Sequence, residues 1–175
     1  MELYKKGREI MKCCVTGHRP KGFPFERQDY IFSYLKYMEL LEQEIECLIR
    51  EGYTHFITGM AEGADLDFAK TVLFLRDQGE PITLEAALPY PLKPSKKMTA
   101  YSEARDDVLL CCNQKHIVSP YFHQGCMQKR NKYMVDQSDI VLAIWNGERT
   151  GGTWNTIAYA QTQNKTIRYI LLSEL

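Results

Sequence analysis

The sequence predicts a doubly wound α/β fold, with a mostly parallel sheet and helices on both faces. Three observations carry that reading. Short apolar runs alternate with longer stretches of helical spacing, the pattern of strand-helix-strand units joined by right-handed crossovers. Ile140 to Trp145 is almost wholly apolar, as suits a strand buried on both faces of a parallel sheet. Three glycine-bearing turns each follow an apolar run and lead toward a helical pattern: Thr16-Gly17-His18-Arg19-Pro20, Thr58-Gly59-Met60-Ala61-Glu62-Gly63-Ala64-Asp65 and Thr150-Gly151-Gly152-Thr153.

The elements follow in order. Lys12 to Thr16 is β-prone and ends at Gly17. From Gln28 to Glu51, Phe32, Leu35, Met38, Leu41, Ile45, Leu48 and Ile49 recur at helical spacing, which predicts a long amphipathic helix closed by Gly52. His55 to Thr58 reads as the second strand. Asp65 to Asp77 reads as the second helix, with Leu66, Ala69, Val72 and Leu73 inward. Ile82 to Leu88 is a strand stopped by Pro89, Pro91 and Pro94. Tyr101 to Leu110 and Gln124 to Gln137 are expected to be helical, with His116 to Ser119 extended between them. Thr153 to Gln163 and Thr166 to Leu171 supply the last helix and strand.

The 175 residues suit one domain, taken as residues 11–175 behind a charged extension, Met1 to Ile10. Lys and Arg number 22, as do Asp and Glu, so the chain is neutral overall. Neutrality argues against a strongly electrostatic partner such as nucleic acid or a membrane surface. No apolar run reaches spanning length and the polar N-terminus does not resemble a signal peptide, so a cytoplasmic location is expected. The six cysteines, at 13, 14, 47, 111, 112 and 126, match neither zinc nor redox spacing and read as structural thiols. Histidines 18, 55, 116 and 123 show no metal-ligand spacing, so no metal is expected. The P-loop, G-x-S-x-G and H-E-x-x-H motifs are absent.

Turns at the C-terminal ends of parallel strands are where open α/β sheets bind ligands. Glycine lets backbone N–H groups approach an anion, and a following helix N-terminus adds a favourable dipole. The three turns together therefore point to a nucleotide or phosphate pocket. In the first, Thr16, Gly17, His18 and Arg19 are candidates: Arg19 offers a fork of donors to phosphate, His18 a hydrogen bond or a proton. In the second, Gly59, Met60, Glu62, Gly63 and Asp65 are candidates. Asp65 either caps its helix or supports the ligand loop, and Glu62 reads mainly as a solvated first-turn charge. In the third, Asn146, Gly151, Gly152 and Thr153 are candidates, the amides of Gly152 and Thr153 forming an anion nest or Thr153 simply capping a helix. Trp145 and Trp154 either stack on a base or pack in the core. Lys129, Arg130, Asn131 and Lys132 place positive charge at the wrong end of a helix, an anomaly that a nearby anion would remove. Tyr90 to Tyr101 reads as a lid or as a proline-rich surface loop.

C-V-T-G-H-R-P, F-I-T-G-M-A-E-G-A-D, D-I-V-L-A-I-W-N and G-G-T-W-N-T-I-A-Y-A together resemble the YpsA/YoqJ-like family of the SLOG superfamily. These are Rossmann-like domains related to the DNA-processing protein DprA and to the LOG phosphoribohydrolases. The likeness runs from about Met11 to the C-terminus. It implies a nucleotide-derived ligand, such as ADP-ribose or NAD, at the sheet's C-terminal edge, with Gly17, Arg19, Gly59, Gly63, Asp65, Gly152 and Thr153 shaping the pocket. LOG enzymes carry P-G-G-x-G-T-x-x-E, whose glutamate supports N-glycosidic cleavage; here the turn reads T-G-G-T-W-N-T and Thr156 stands three residues after Thr153. The expectation is therefore a module that binds a nucleotide-derived small molecule as a sensor, open to a protein partner or self-association, with no required cofactor. The alternatives are a LOG-like nucleoside-phosphate hydrolase or transferase using Glu62 or Asp65, and a DprA-like nucleic-acid binder, which neutrality disfavours.

Overall fold

The computed structural model describes residues 9–25, 30–93 and 98–175. Six strands form one sheet: β1 (Met11–Gly17), β2 (Tyr53–Thr58), β3 (Thr83–Leu88), β4 (Gln114–Ile117), β5 (Ile140–Trp145) and β6 (Thr166–Leu171). Their order is β4-β3-β2-β1-β5-β6, and every neighbouring pair is parallel. Among the described residues five α-helices connect them: α1 (Tyr30–Arg50), α2 (Ala64–Asp77), α3 (Ala100–Cys111), α4 (Cys126–Asp136) and α5 (Gly151–Thr162). The fold is the α/β, doubly wound, Rossmann-like arrangement that the alternation predicts.

Period-two burial explains the two layers. Cys13, Val15, Phe56, Leu84 and Leu142 face one side, with Leu41, Ile45 and Leu48 of α1, Phe68 and Val72 of α2, and Val108 of α3. Cys14, Ile57 and Val141 face the other, with Met134 and Val135 of α4 and Ala160 of α5. Strands flanked on both faces need apolar residues at every position, which is why β5 reads as an unbroken run. The six cysteines are unpaired; Cys13, Cys14 and Cys126 are buried. Burial pushes the Cys14 thiol up to about 12, so it stays protonated and behaves as a small hydrophobe. No helix among the described residues is long and apolar enough to cross a membrane.

Several local expectations need correction. The expected start of the first helix, Gln28, lies outside the described residues, as do residues 1–8 of the extension and residues 94–97 of the proline-rich stretch. Within α1 the buried face is Ser33, Tyr37, Leu41, Ile45 and Leu48, while Phe32 and Leu35 are exposed. The first turns rotate toward α2 because the phenols of Tyr34 and Tyr37 donate to the buried Asp67 carboxylate, at 2.8 and 3.4 Å. The fourth strand starts at Gln114 rather than His116; Asn113 opens its pairing by exchanging bonds with the Leu84 backbone through both its own amide and its side chain.

Candidate functional site

At the sheet's C-terminal edge the chain leaves β1 toward β2 on one side and returns at β5 on the other. Crevices at such a reversal are the ligand sites of open α/β sheets. A cleft of about 320 Å³ opens there. The end of β1 and its following loop supply Thr16, Gly17, His18 and Arg19; the second turn supplies Ala61 and Asp65; α4 supplies Met127, Arg130 and Asn131; α5 supplies Gly152 and Thr153. A larger hollow of about 720 Å³ lies at the opposite, N-terminal edge. Its lining includes Glu9, Glu46, Glu51 and Glu80, a carboxylate-rich wall that repels anions, and none of the candidate residues.

The floor of the cleft is a buried ion pair. Arg130 Nη1 stands 4.0 Å from Asp65 Oδ2 and donates to the Gly59 carbonyl. Asp65 also accepts the Ala61 N–H at 3.3 Å. Burial pushes the Asp65 carboxyl up, opposed first by Arg130; burial likewise pulls the Arg130 guanidinium down, opposed by Asp65. Arg130 is only 6% exposed, and its Nε is buried without a hydrogen-bond partner among the described residues. Arg130 lines the cleft, and its guanidinium places positive charge at the floor, which favours an anion above it.

The second turn is shaped around this pair. A Cβ on Gly59 would overlap Arg130 and stand 2.7 Å from Asp65 Oδ2. Gly63 has φ +90°, and a Cβ there would lie 2.6 Å from the His18 carbonyl, to which the Ala64 N–H is bonded at 3.1 Å. At these two glycines the protein's own groups occupy the place a Cβ would take. Asp65 does not cap α2, because the N-cap is Gly63 and Asp65 already lies within the first helical turn. Met60 adopts left-handed backbone, φ +61°, and its carbonyl accepts the Tyr101 hydroxyl at 3.0 Å. Gly59, Met60 and Gly63 thus stand behind the cleft. Glu62 and Gly63 line a neighbouring hollow instead.

The third turn is built differently. Helix α5 begins at Gly151, and Thr150 occupies the N-cap without making a side-chain cap bond. Thr153 therefore lies inside the first turn and is not the cap. The first-turn N–H groups of an α-helix have no intrahelical partner, and here no cap side chain takes their place. A Cβ on Gly152 would meet nothing within 4 Å. Thr156 braces this turn: its hydroxyl donates to the Gly152 carbonyl and accepts from Asn131 Nδ2, both at 2.9 Å. Asn146 holds the loop above, donating to the Gly22 carbonyl at 3.3 Å and accepting the Glu148 N–H at 3.0 Å. Trp145 and Trp154 stack on each other, 5.7 Å between centroids, with Tyr169 against Trp145. His18 is half-buried, its Nε2 has no hydrogen-bond partner among the described residues, and burial pulls its pKa below the ordinary value.

Sequence reasoning did not single out Arg130 from its neighbours. The signal was the misplaced positive charge on α4: Lys129 and Lys132 are exposed, whereas Arg130 turns inward. Among the described residues no three His, Cys, Asp or Glu side chains gather as a metal site.

A family model described as the YspA SLOG family matches residues 13–175. The chain is 27% identical to the UPF0398 protein of Shouchella clausii over 167 residues, covering 91% of this chain and 86% of that one. It is 22% identical to the UPF0398 protein of Bacillus velezensis over 162 residues, covering 91% and 88%. A third UPF0398 protein, from Halalkalibacterium halodurans, is 26% identical over 121 residues, covering 68% and 63%. The chain belongs to the YspA SLOG family.

Proposed function

We propose that this YspA SLOG domain binds a nucleotide-derived ligand, such as ADP-ribose or NAD, as a sensor module. The ligand's phosphate end rests against the first turn of α5. The observation that carries this reading is the uncapped N-terminus of α5, open at Gly152, in the same cleft as the Arg130 guanidinium. Backbone N–H groups, helix dipole and guanidinium all favour negative charge at one place. Arg19, exposed at the rim, supplies further charge. The cleft's volume suits part of a dinucleotide, the remainder extending between α4 and α5 past Met127 and Asn155.

One observation supports a hydrolase or transferase as the second reading: Asp65 lines the cleft and its carboxyl is pushed up by burial, as general acids often are. Two features weigh against it. Asp65 is already engaged by Arg130 and the Ala61 N–H. The position of the LOG glutamate is Thr156, whose hydroxyl is committed at both ends. Glu62 lines the neighbouring hollow and not the cleft.

A thermal-shift screen of nucleotides and dinucleotides tests binding, since a ligand selective for the native state raises the midpoint by mass action. Chromatography of the same mixtures tests turnover. A raised midpoint with unchanged ligand is the expected result. No shift with any phosphate-bearing compound would overturn the reading, and released base or ribose phosphate would favour the enzyme.

A further inference from the structure

A second hollow, of about 250 Å³, lies beside the cleft. The same two loops line both: His18, Arg19 and Ala61 face the cleft, whereas Pro20, Glu62 and Gly63 face the hollow. Its character is different. Phe23, Tyr30, Tyr34 and Tyr101 supply aromatic walls, and the rings of Tyr30 and Tyr34 are parallel, 6.0 Å apart. Asp67 contributes a carboxylate that is only 8% exposed.

That carboxylate's hydrogen bonds come from neutral groups alone, and the Lys70 charge acts on it without a direct ion pair. Oδ1 accepts the Tyr34 hydroxyl at 2.8 Å and Oδ2 the Tyr37 hydroxyl at 3.4 Å. Among the described residues no Lys, Arg or His stands within ion-pair distance, in contrast to Asp65 and its arginine. Lys70, at the mouth, is exposed. Buried carboxylates are costly without a cation, and their usual solution is a paired one. Aromatic faces attract cations independently, through the ring quadrupole. The hollow is smaller than the roughly 300–1,000 Å³ typical of sites for drug-sized ligands, so it suits a head group rather than a whole nucleotide.

We propose that this hollow receives the head of an organic ammonium ion, its charge facing Asp67 and its alkyl groups against the tyrosine and phenylalanine rings. This site is separate from the nucleotide cleft and does not depend on it. The same head group occurs on free quaternary amines and on methylated lysines of proteins. Choline and a trimethyl-lysine peptide serve as separate probes of the two sources.

The test is an NMR titration of the full chain with choline, with the peptide, and with dimethylbutanol, the uncharged tert-butyl isostere of choline. At least one cation is expected to bind roughly tenfold or more tighter than the isostere. The perturbed resonances should centre on Tyr34, Asp67 and Tyr101. In Asp67→Asn the preference for the cation over the isostere should fall several-fold, to what the aromatic faces alone supply. If that variant does not fold, the wild-type comparison of choline with its isostere decides by itself. Choline binding alone assigns the site to a small molecule; peptide binding alone assigns it to a protein tail. Equal binding of the isostere, shifts confined to the nucleotide cleft, or no binding by either cation would overturn the proposal.

Discussion

The second and third glycine-bearing turns look alike in sequence and do opposite things in space. At Gly59 and Gly63 the place a Cβ would take is already filled, by Arg130 and Asp65 at the first and the His18 carbonyl at the second. At Gly152 that place is open, with nothing within 4 Å. One turn uses glycine to bring the chain against itself and so build the cleft's floor. The other uses it to leave a helix end uncovered. A glycine pattern therefore marks where backbone must come close to something, and only the structure says whether that something is protein or ligand.

The sharpest way to break the comparison is to remove the pair beneath the second turn. Arg130→Met leaves the Asp65 carboxylate buried and uncompensated, which should cost about 3–5 kcal/mol in urea unfolding. Asp65→Asn added to that variant should recover part of the loss. The deficit should depend on pH with a definite sign. Burial already pushes the Asp65 carboxyl up, and loss of the guanidinium pushes it further. A carboxyl whose folded pKa exceeds its unfolded value, about 3.9, contributes stability below that value and loses it as pH rises through the folded pKa. The variant's deficit should thus narrow in acid and widen toward neutrality.

Next in size is Gly63→Ala, which combines left-handed backbone with a Cβ only 2.6 Å from a carbonyl oxygen. A loss on the order of 3 kcal/mol is expected, read from the thermal or urea midpoint. Gly152→Ala sharpens the contrast, since its unfolding midpoint should change by less than about 1 kcal/mol, in either direction. If both alanine variants cost the same, the two turns do not differ in the way the geometry describes. The smallest effect concerns His18. Burial lowers its pKa, so it contributes stability above its unfolded value, about 6.5, and loses it as pH falls. His18→Gln should flatten the stability profile slightly between roughly pH 7 and 5. The change is small because half of the ring still meets solvent.

Much of this architecture was legible in the residues. Parallel strands buried on both faces must be apolar throughout, so β1, β2 and β5 declare themselves between their glycines. The rest depends on which surface meets which. In α1 two overlapping apolar stripes are available; the choice of Tyr34 and Tyr37 over Phe32 and Leu35 follows from Asp67, a partner 30 residues or more away. Arg130 and Asp65 are likewise joined across the sheet, so neither position alone discloses the pair. Asp65 and Thr153 both look like helix caps, yet each helix starts earlier than its last small polar residue suggests. The candidate residues at the β1 and α5 ends do converge on the cleft; those of the second turn mostly support it from behind.

The placement of an anion on the first turn of α5 is tested most directly by calorimetric titration of ADP-ribose and NAD into the wild type, Gly152→Ala and Gly152→Asp. The aspartate sets a negative charge among the uncapped N–H groups, and its Cβ meets no neighbour within 4 Å. Loss of one or two charge-assisted hydrogen bonds is worth about 1.5–3 kcal/mol each, so affinity should fall roughly a hundredfold in Gly152→Asp. Gly152→Ala should keep most of it, and the unfolding midpoints of both variants should stay near that of the wild type. Equal affinity in the folded aspartate variant, or no heat from either compound with the wild type, would contradict a phosphate at this helix end.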